Sequence, residues 1–117
     1  MIDPTALVVG ILADAVDAPV STDVPRTRPE RLVTVDLAGD RSTEFLLQPR
    51  FQIMCWGSSD HEAHSMARQC LDALWQAAEG HPYLSACFLE SMARDEWAAT
   101  GQGRYLLVVD LVINTDE

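Results

Sequence analysis

Two stretches of the chain repeat apolar residues every three or four positions, the spacing of an amphipathic helix. The first, residues 3–17, begins at Asp3, a residue type that caps helix N-termini. The second, residues 60–79, is preceded by Ser59 and contains Glu62 three positions later, the pair that forms a capping box. The pattern therefore predicts two helices, a short one at the start and a longer one in the middle.

Alternating apolar and polar residues predict strands in four other segments. These segments are residues 31–37, 45–56, 83–92 and 105–113. Between the first helix and the first strand, three prolines leave room only for a short extended piece at residues 20–24. Residues 38–44 form a polar turn, and Pro49 places the start of the second strand at an edge or a bulge. The order α-β-β-α-β-β predicts a single α+β domain over residues 1–117, with a mainly antiparallel or mixed sheet of four to five strands.

The predicted sheet is more apolar than two helices can cover. Two helices cover one face of a sheet, yet the strand at 105–113 is apolar on both of its faces. We therefore expect the other face, including some of Met54, Trp56, Val108 and Val112, to pack on a neighbouring subunit or another partner.

The charge balance narrows the possible functions. The chain has 117 residues with 18 acidic and 8 basic side chains, a formal net charge of −10, and all its basic residues are arginine. Such a surface repels phosphate, which argues against sequence-independent binding of nucleic acid, and the absence of lysine excludes Schiff-base and general-base chemistry by lysine. No apolar run is long enough for a membrane helix. Arg26, Arg28 and Arg31 cluster together, either in a solvated loop or facing an acidic surface of a neighbouring subunit.

Few side chains offer catalytic or metal-binding chemistry. His61 and His64 lie three apart on one helical face, as metal ligands do, but a polar first helical turn explains them better. The odd set of Cys55, Cys70 and Cys87 contains no CxxC pair and fits buried free thiols. Cys55 is the one cysteine near enough in sequence to approach His61, and nothing supplies an oxyanion hole. We predict no catalytic, cofactor or metal site.

The segment 94–103 is predicted to be a loop. Asp95 and Glu96 are interpreted as solvated charges, since neighbouring side chains on an extended segment point in opposite directions. Trp97 either covers an edge of the core or forms a binding hot spot. The same two interpretations apply to Trp56. Gly101-Gln102-Gly103 is a loop glycine pair, because it precedes a strand where a nucleotide-binding loop would follow one.

The order and spacing of several segments along the whole chain resemble the tail terminator family of long-tailed bacteriophages and prophages. The most telling region is an alternating strand ending in Cys-Trp, followed by a capped helix containing Glu-Ala. The segments are residues 24–35, Pro49-Arg-Phe-Gln-Ile-Met-Cys-Trp-Gly57, Ser59-Asp-His-Glu-Ala-His64 and Gly103-Arg-Tyr-Leu-Leu-Val-Val-Asp-Leu-Val112. One departure is Thr100-Gly-Gln-Gly103, which stands where a Pro-Asp-Pro-type turn is expected.

The resemblance implies a structural protein at the head-proximal end of a virion tail, assembled in the host cytoplasm. Members of that family form a hexameric ring that caps the tail tube, stops its polymerisation and joins the tail to the head. The implied partners are further copies of the chain, the tail tube protein, a head-completion or neck protein, and double-stranded DNA passing without specific binding. An acidic channel would let DNA slide, and the candidates to line or rim it are Asp36, Asp40, Glu44, Asp95 and Glu96.

Two other classes remain open. A neck or tail-completion connector shares the size and architecture of a terminator. Outside phages, a ferredoxin-like regulatory domain that dimerises through its sheet predicts a stable dimer with a small-molecule pocket. An enzyme is a third class, for which the residues assemble no site.

Overall fold

Two helices and six strands, two of which are only two residues long, make up the described part of the chain. The structure is a computed structural model that describes residues 3–27, 29–95 and 103–114. The elements are α1 (Pro4–Ala15), β1 (Val20–Ser21), β2 (Leu32–Asp40), β3 (Leu46–Leu47), β4 (Pro49–Gly57), α2 (Asp60–Gly80), β5 (Leu84–Arg94) and β6 (Gly103–Asn114). The predicted α+β class is confirmed, and neither helix is long and apolar enough to span a membrane.

The strands form one mixed sheet in the order β1-β2-β4-β6-β5, with β3 also paired to β6. β1 runs parallel to β2, and every other neighbouring pair is antiparallel. The short extended piece expected at residues 20–24 is β1. Because β2, β4, β6 and β5 alternate in direction, the main sheet is built from antiparallel ladders.

β3 and β4 are two parts of one strand interrupted at a proline. Leu47 lies opposite Ile113 and Arg50 opposite Asp110, so both parts keep the same register along β6. Pro49 has no N–H to donate, which accounts for the break in the ladder. The expected edge lies before Pro49, where Leu46–Leu47 of β3 pair only with β6, whereas β4 lies between β2 and β6 in the middle of the sheet.

Both helices pack on the same face of the sheet, which we call the helix-covered face. The core combines apolar residues of both helices with every second residue of the central strands. Its largest fully buried side chains include Leu12 of α1, Met66, Leu71 and Leu74 of α2, and Phe51, Ile53, Leu107, Leu111 and Ile113 of the sheet. The prediction that two helices cover a single face therefore holds.

The helix N-termini follow the sequence prediction closely. The Asp3 side chain accepts hydrogen bonds from the backbone N–H of Thr5 (3.0 Å) and of the next residue. Ser59 accepts from the N–H of Glu62 (3.1 Å), but the Glu62 carboxylate accepts from Ser58 (2.8 Å), not Ser59. These bonds satisfy N–H groups that the first helical turn leaves without intrahelical partners.

Two parts of the predicted organisation need correction. β2 continues through a bulge after Leu37 as far as Asp40, so the strand includes residues that the sequence assigned to the polar turn at 38–44. Gly103 begins β6 and pairs with Gly57 of β4, so it belongs to the sheet and not to a loop. A Cβ on Gly103 would collide with the backbone at the start of α2, which explains why this position has no side chain.

Candidate subunit interface

The face turned away from the helices, called here the helix-free face, carries apolar side chains that are only partly covered. Met54 of β4 lies between Thr34 of β2 and Leu106 of β6. Val108 lies opposite Gln52, and Val112 lies opposite Ala86. Met54, Val108 and Val112, which the sequence predicts to be interface residues, thus share this face and are each half-buried. Partly covered apolar residues on one surface are typical of a protein contact region.

Trp56 lies on the same face but contributes little surface. Its side chain is only 6% exposed, and the Arg104 guanidinium lies 5.8 Å from the centre of the ring, a cation–π distance. Trp56 therefore packs mainly within its own chain. Trp97 lies outside the described residues.

An ion cluster crosses the centre of the helix-free face. Arg50 donates from Nε and Nη2 to the two carboxylate oxygens of Asp110, at 2.7 and 2.9 Å, and its Nη2 lies 3.5 Å from a carboxylate oxygen of Glu90. The hydrogen bonds from Arg50 lower the pKa of Asp110, and the bonded carboxylate raises the pKa of Arg50. This bidentate geometry fixes the position of both charges, so a partner of this face has to accommodate a polar centre.

The predicted channel acids are spread along the sheet. Asp36 is exposed on the helix-free face, opposite Gln52. Asp40 and Glu44 are exposed at one end of the sheet, near the hairpin between β2 and β3. Asp95, at the other end, is not a freely solvated charge as the sequence predicts: it forms an ion pair with Arg104. Glu96 lies outside the described residues.

The arginines of the 26–31 cluster differ in their surroundings. Arg26 is exposed, whereas Arg31 lies 3.8 Å from Asp17 and 3.7 Å from Glu62. Arg31 therefore links the segment after α1 to the first turn of α2 and is engaged within its own chain. Arg28 lies outside the described residues.

The histidines and cysteines sit in ordinary structural surroundings. The ring of His64 contacts that of Tyr105, with centroids 5.0 Å apart, and His61 is exposed. Within residues 3–27, 29–95 and 103–114, no three His, Cys, Asp or Glu side chains converge as metal ligands. All three cysteines are free, and Cys55 and Cys70 are buried.

The electrostatics of the thiols favour unreactive side chains. The neighbouring Cys70 thiol and burial raise the pKa of Cys55 far above its usual range. Burial, helped by the charge of Asp110, raises the pKa of Cys87 to about 11. Because the thiolate is the nucleophile, such groups are poorly suited to covalent catalysis at neutral pH.

The sequence did not identify the two edges of the sheet as exposed apolar regions. Phe88 and Leu89 on β5 are 60% and 41% exposed, and Leu37 on β2 is 45% exposed. Alternation alone shows which residues share a face but not which strand is outermost. An edge position can be recognised only once the strand order is known.

Comparisons with known proteins identify a shared fold. No protein-family model matches this chain, and no curated protein matches its sequence. Among solved structures, a chain titled "Virion of native gene transfer agent (GTA) particle" has 16% sequence identity and a TM-score of 0.58. This protein and that virion chain share a fold. The similarity covers 95% of this chain and 87% of the other, so it extends over nearly the full length of both.

Proposed function

We propose that this chain is a structural virion protein, a tail terminator that forms a ring of six copies on the end of the tail tube. The ring stops tube polymerisation and joins the tail to the head. The observation that carries the proposal is the fold shared with a chain of a gene transfer agent virion, over 95% of this chain. It agrees with the family resemblance of segments spread along the sequence.

The helix-free face supports a role in assembly. Met54, Val108 and Val112 lie half-buried on a face that neither helix covers. Burying such a face against another subunit or a partner removes apolar surface from water, about 25 cal/mol for each Å². In this proposal these residues contact a neighbouring protein of the particle.

The acidic charge supports passage of DNA without binding. Six copies at −10 each carry a formal charge of −60. Double-stranded DNA has one negative charge for about every 1.7 Å of its axis. Repulsion between a ring and DNA of the same sign keeps the duplex from adhering, with Asp36, Asp40, Glu44, Asp95 and Glu96 as the proposed channel residues.

Electron microscopy of the protein mixed with purified tail tubes tests the proposal. We expect a cap on one end of each tube and tubes that no longer grow when tube protein is added. Val108→Glu, which puts a charge on the helix-free face, should reduce capping at least tenfold, a loss of about 1.4 kcal/mol of binding. Gln69→Glu adds the same charge on an exposed position of α2 and should cap normally.

Other outcomes identify the competing classes. Binding to the head-side connector but not to the tube would indicate a neck or tail-completion protein. A stable dimer in solution that binds neither would indicate a regulatory domain dimerising through its sheet. Either result contradicts the terminator proposal.

A further inference from the structure

The sheet ends in two strands whose outer edges are unpaired in the described residues. β5 pairs only with β6, and β1 pairs with β2 only at Val33 and Thr34. The part of β2 beyond Thr34 and the outer side of β5 therefore present backbone groups that can accept another strand.

One row of side chains on the helix-covered face runs across the whole sheet. The register places Leu37, Phe51, Val109 and Leu89 side by side on β2, β4, β6 and β5. Phe51 and Val109 are fully buried, while the leucines at the two ends are 45% and 41% exposed. The apolar row therefore stops at each edge with a leucine that has no strand on its outer side within the described part of the chain.

The strand directions allow the two edges to join. β2 is antiparallel to β4, β4 to β6, and β6 to β5. β5 and β2 thus run in opposite directions. When a second copy is placed beside the first by rotation about a ring axis, β5 of one copy meets β2 of the next in antiparallel orientation. Such a contact is heterologous and generates a ring when the rotation closes.

The backbone N–H groups of alternate β2 residues point away from β4, as pairing with another strand requires. The N–H of Val33 donates to the Pro19 carbonyl on the β1 side, 2.9 Å away. Because backbone groups alternate sides along a strand, the N–H of Leu37, four residues on, points to the same outer side. β1 ends before it reaches that position.

We propose that copies of this chain join through their sheet edges, with β5 of one copy pairing with residues 35–37 of β2 in the next and Leu89 packing against Leu37. This inference rests on the ring in the proposed function and names the contact between its subunits. The helix-free face is then left for the channel and for partners above and below the ring.

Bulges and charge restrict the register of this pairing. In an antiparallel pair with Leu89 opposite Leu37, residues 35–37 of β2 lie opposite residues 89–91 of β5, so the pairing spans three residues and includes the irregularity of β5 after Leu89. Pairing Leu89 with Leu37 brings Asp36 near Glu90, whose charge is already shared with Arg50. Facing carboxylates repel each other, so added salt should strengthen the association.

Disulfide trapping tests the contact. In a Cys87→Ala background, the purified Leu37→Cys and Leu89→Cys variants are mixed and oxidised, since directly opposite strand residues come within disulfide range. We expect the mixture to give at least about tenfold more covalent dimer than Leu89→Cys mixed with Gln69→Cys, because paired edges hold the two thiols at high effective concentration. The double variant Leu37→Cys/Leu89→Cys should give a ladder of covalent multimers that ends at the ring.

A second variant tests the backbone bond. Leu37→Pro removes an N–H that faces outwards, so the chain should keep its circular dichroism spectrum. Its association with further copies, measured by sedimentation velocity, should fall at least about tenfold below that of Leu37→Ala, which keeps the N–H.

Several outcomes would overturn the edge contact or separate it from the proposed function. Efficient dimers of Leu89→Cys alone would show β5 pairing with itself and overturn the proposal, as would no product from the mixture of Leu37→Cys and Leu89→Cys. Cross-linking by a chain that does not cap tubes would refute the proposed function but leave the edge contact standing.

Discussion

The two faces of the same central strands differ in how far this chain buries their side chains. Leu107 and Leu106 are neighbours on β6, yet Leu107 is fully buried under the helices while Leu106 is only half-buried on the helix-free face. The first is fixed by packing within the chain. The second has apolar surface that this chain leaves partly uncovered, so packing within the chain does not account for its identity.

The faces also differ in polar content. The helix-covered core consists of apolar side chains, whereas the helix-free face carries the Arg50–Asp110–Glu90 cluster. A charge is costly to bury unless it is paired and hydrogen-bonded. The bidentate Arg50–Asp110 pair therefore suits a face that the helices leave open to water.

A large loss of stability is expected at the glycine of β6 against which α2 begins. Gly103→Ala places a Cβ against the backbone of Ser59 and Asp60. Because strand and helix have to move apart, we expect the free energy of unfolding to fall by about 3 kcal/mol. Urea denaturation followed by circular dichroism measures the change.

Gly10→Ala is the control for that substitution. A Cβ on Gly10, within α1, has no atom within 4 Å. Because alanine is the better helix former, this change should raise stability by about 0.5–1 kcal/mol. Equal losses in both variants would contradict the close approach of α2 to the sheet.

A matched pair of leucines compares the two faces directly. Leu107→Ala opens a cavity in the core and should lower the free energy of unfolding by about 2–5 kcal/mol. Leu106→Ala removes the same atoms from a half-buried position and should cost the single chain about 1 kcal/mol or less. Chemical denaturation gives both values.

If the chain caps tail tubes as proposed, the order of the two effects should reverse when capping is measured. Leu106→Ala should weaken tube capping by more than its small stability loss explains, because its side chain lies among the predicted interface residues. If Leu106→Ala leaves capping unchanged, the helix-free face has no role in partner binding.

The sequence predicted the parts of the fold that depend on local periodicity. The helix caps at Asp3 and Ser59 and both helix faces follow from side-chain spacing, and the structure has them. Local periodicity could not predict contacts between residues that are distant in sequence. Gly103 looked like a loop glycine because the backbone that excludes its side chain belongs to Ser59 and Asp60, far away along the chain.

The sequence predicted the apolar residues of the candidate interface but not the charged residues that share its face. Alternation put Met54, Val108 and Val112 on one face, and the register agrees. It did not show that Asp36, a channel candidate, shares that face, nor that Asp110 pairs with Arg50 across 60 positions. Those relations depend on which strands are neighbours, which hydrophobic patterning leaves open.

A smaller effect is expected for the ion pair of the helix-free face, and it depends on pH. Arg50 lowers the pKa of folded Asp110, so at pH values above the unfolded value of about 3.9 the carboxylate stabilises the folded chain. This contribution is lost as the pH falls through the lowered folded value, where the folded carboxylate also takes up a proton. Asp110→Asn should therefore be less stable than the wild type at pH 7, and the gap should close as the pH falls through the lowered folded pKa of Asp110.

Asp72→Asn provides the contrast within the same molecule. Asp72 lies 3.3 Å from Arg68 one helical turn away, and both side chains are about half exposed. Exposed pairs of this kind contribute about 0.3–0.5 kcal/mol, so its urea midpoint should change less than that of Asp110→Asn at pH 7. Because the Arg50–Asp110 pair is bidentate and joins two central strands, it should resist 0.5 M salt better than the helical pair. Equal salt sensitivity would mean that the cluster on the helix-free face is an ordinary surface pair.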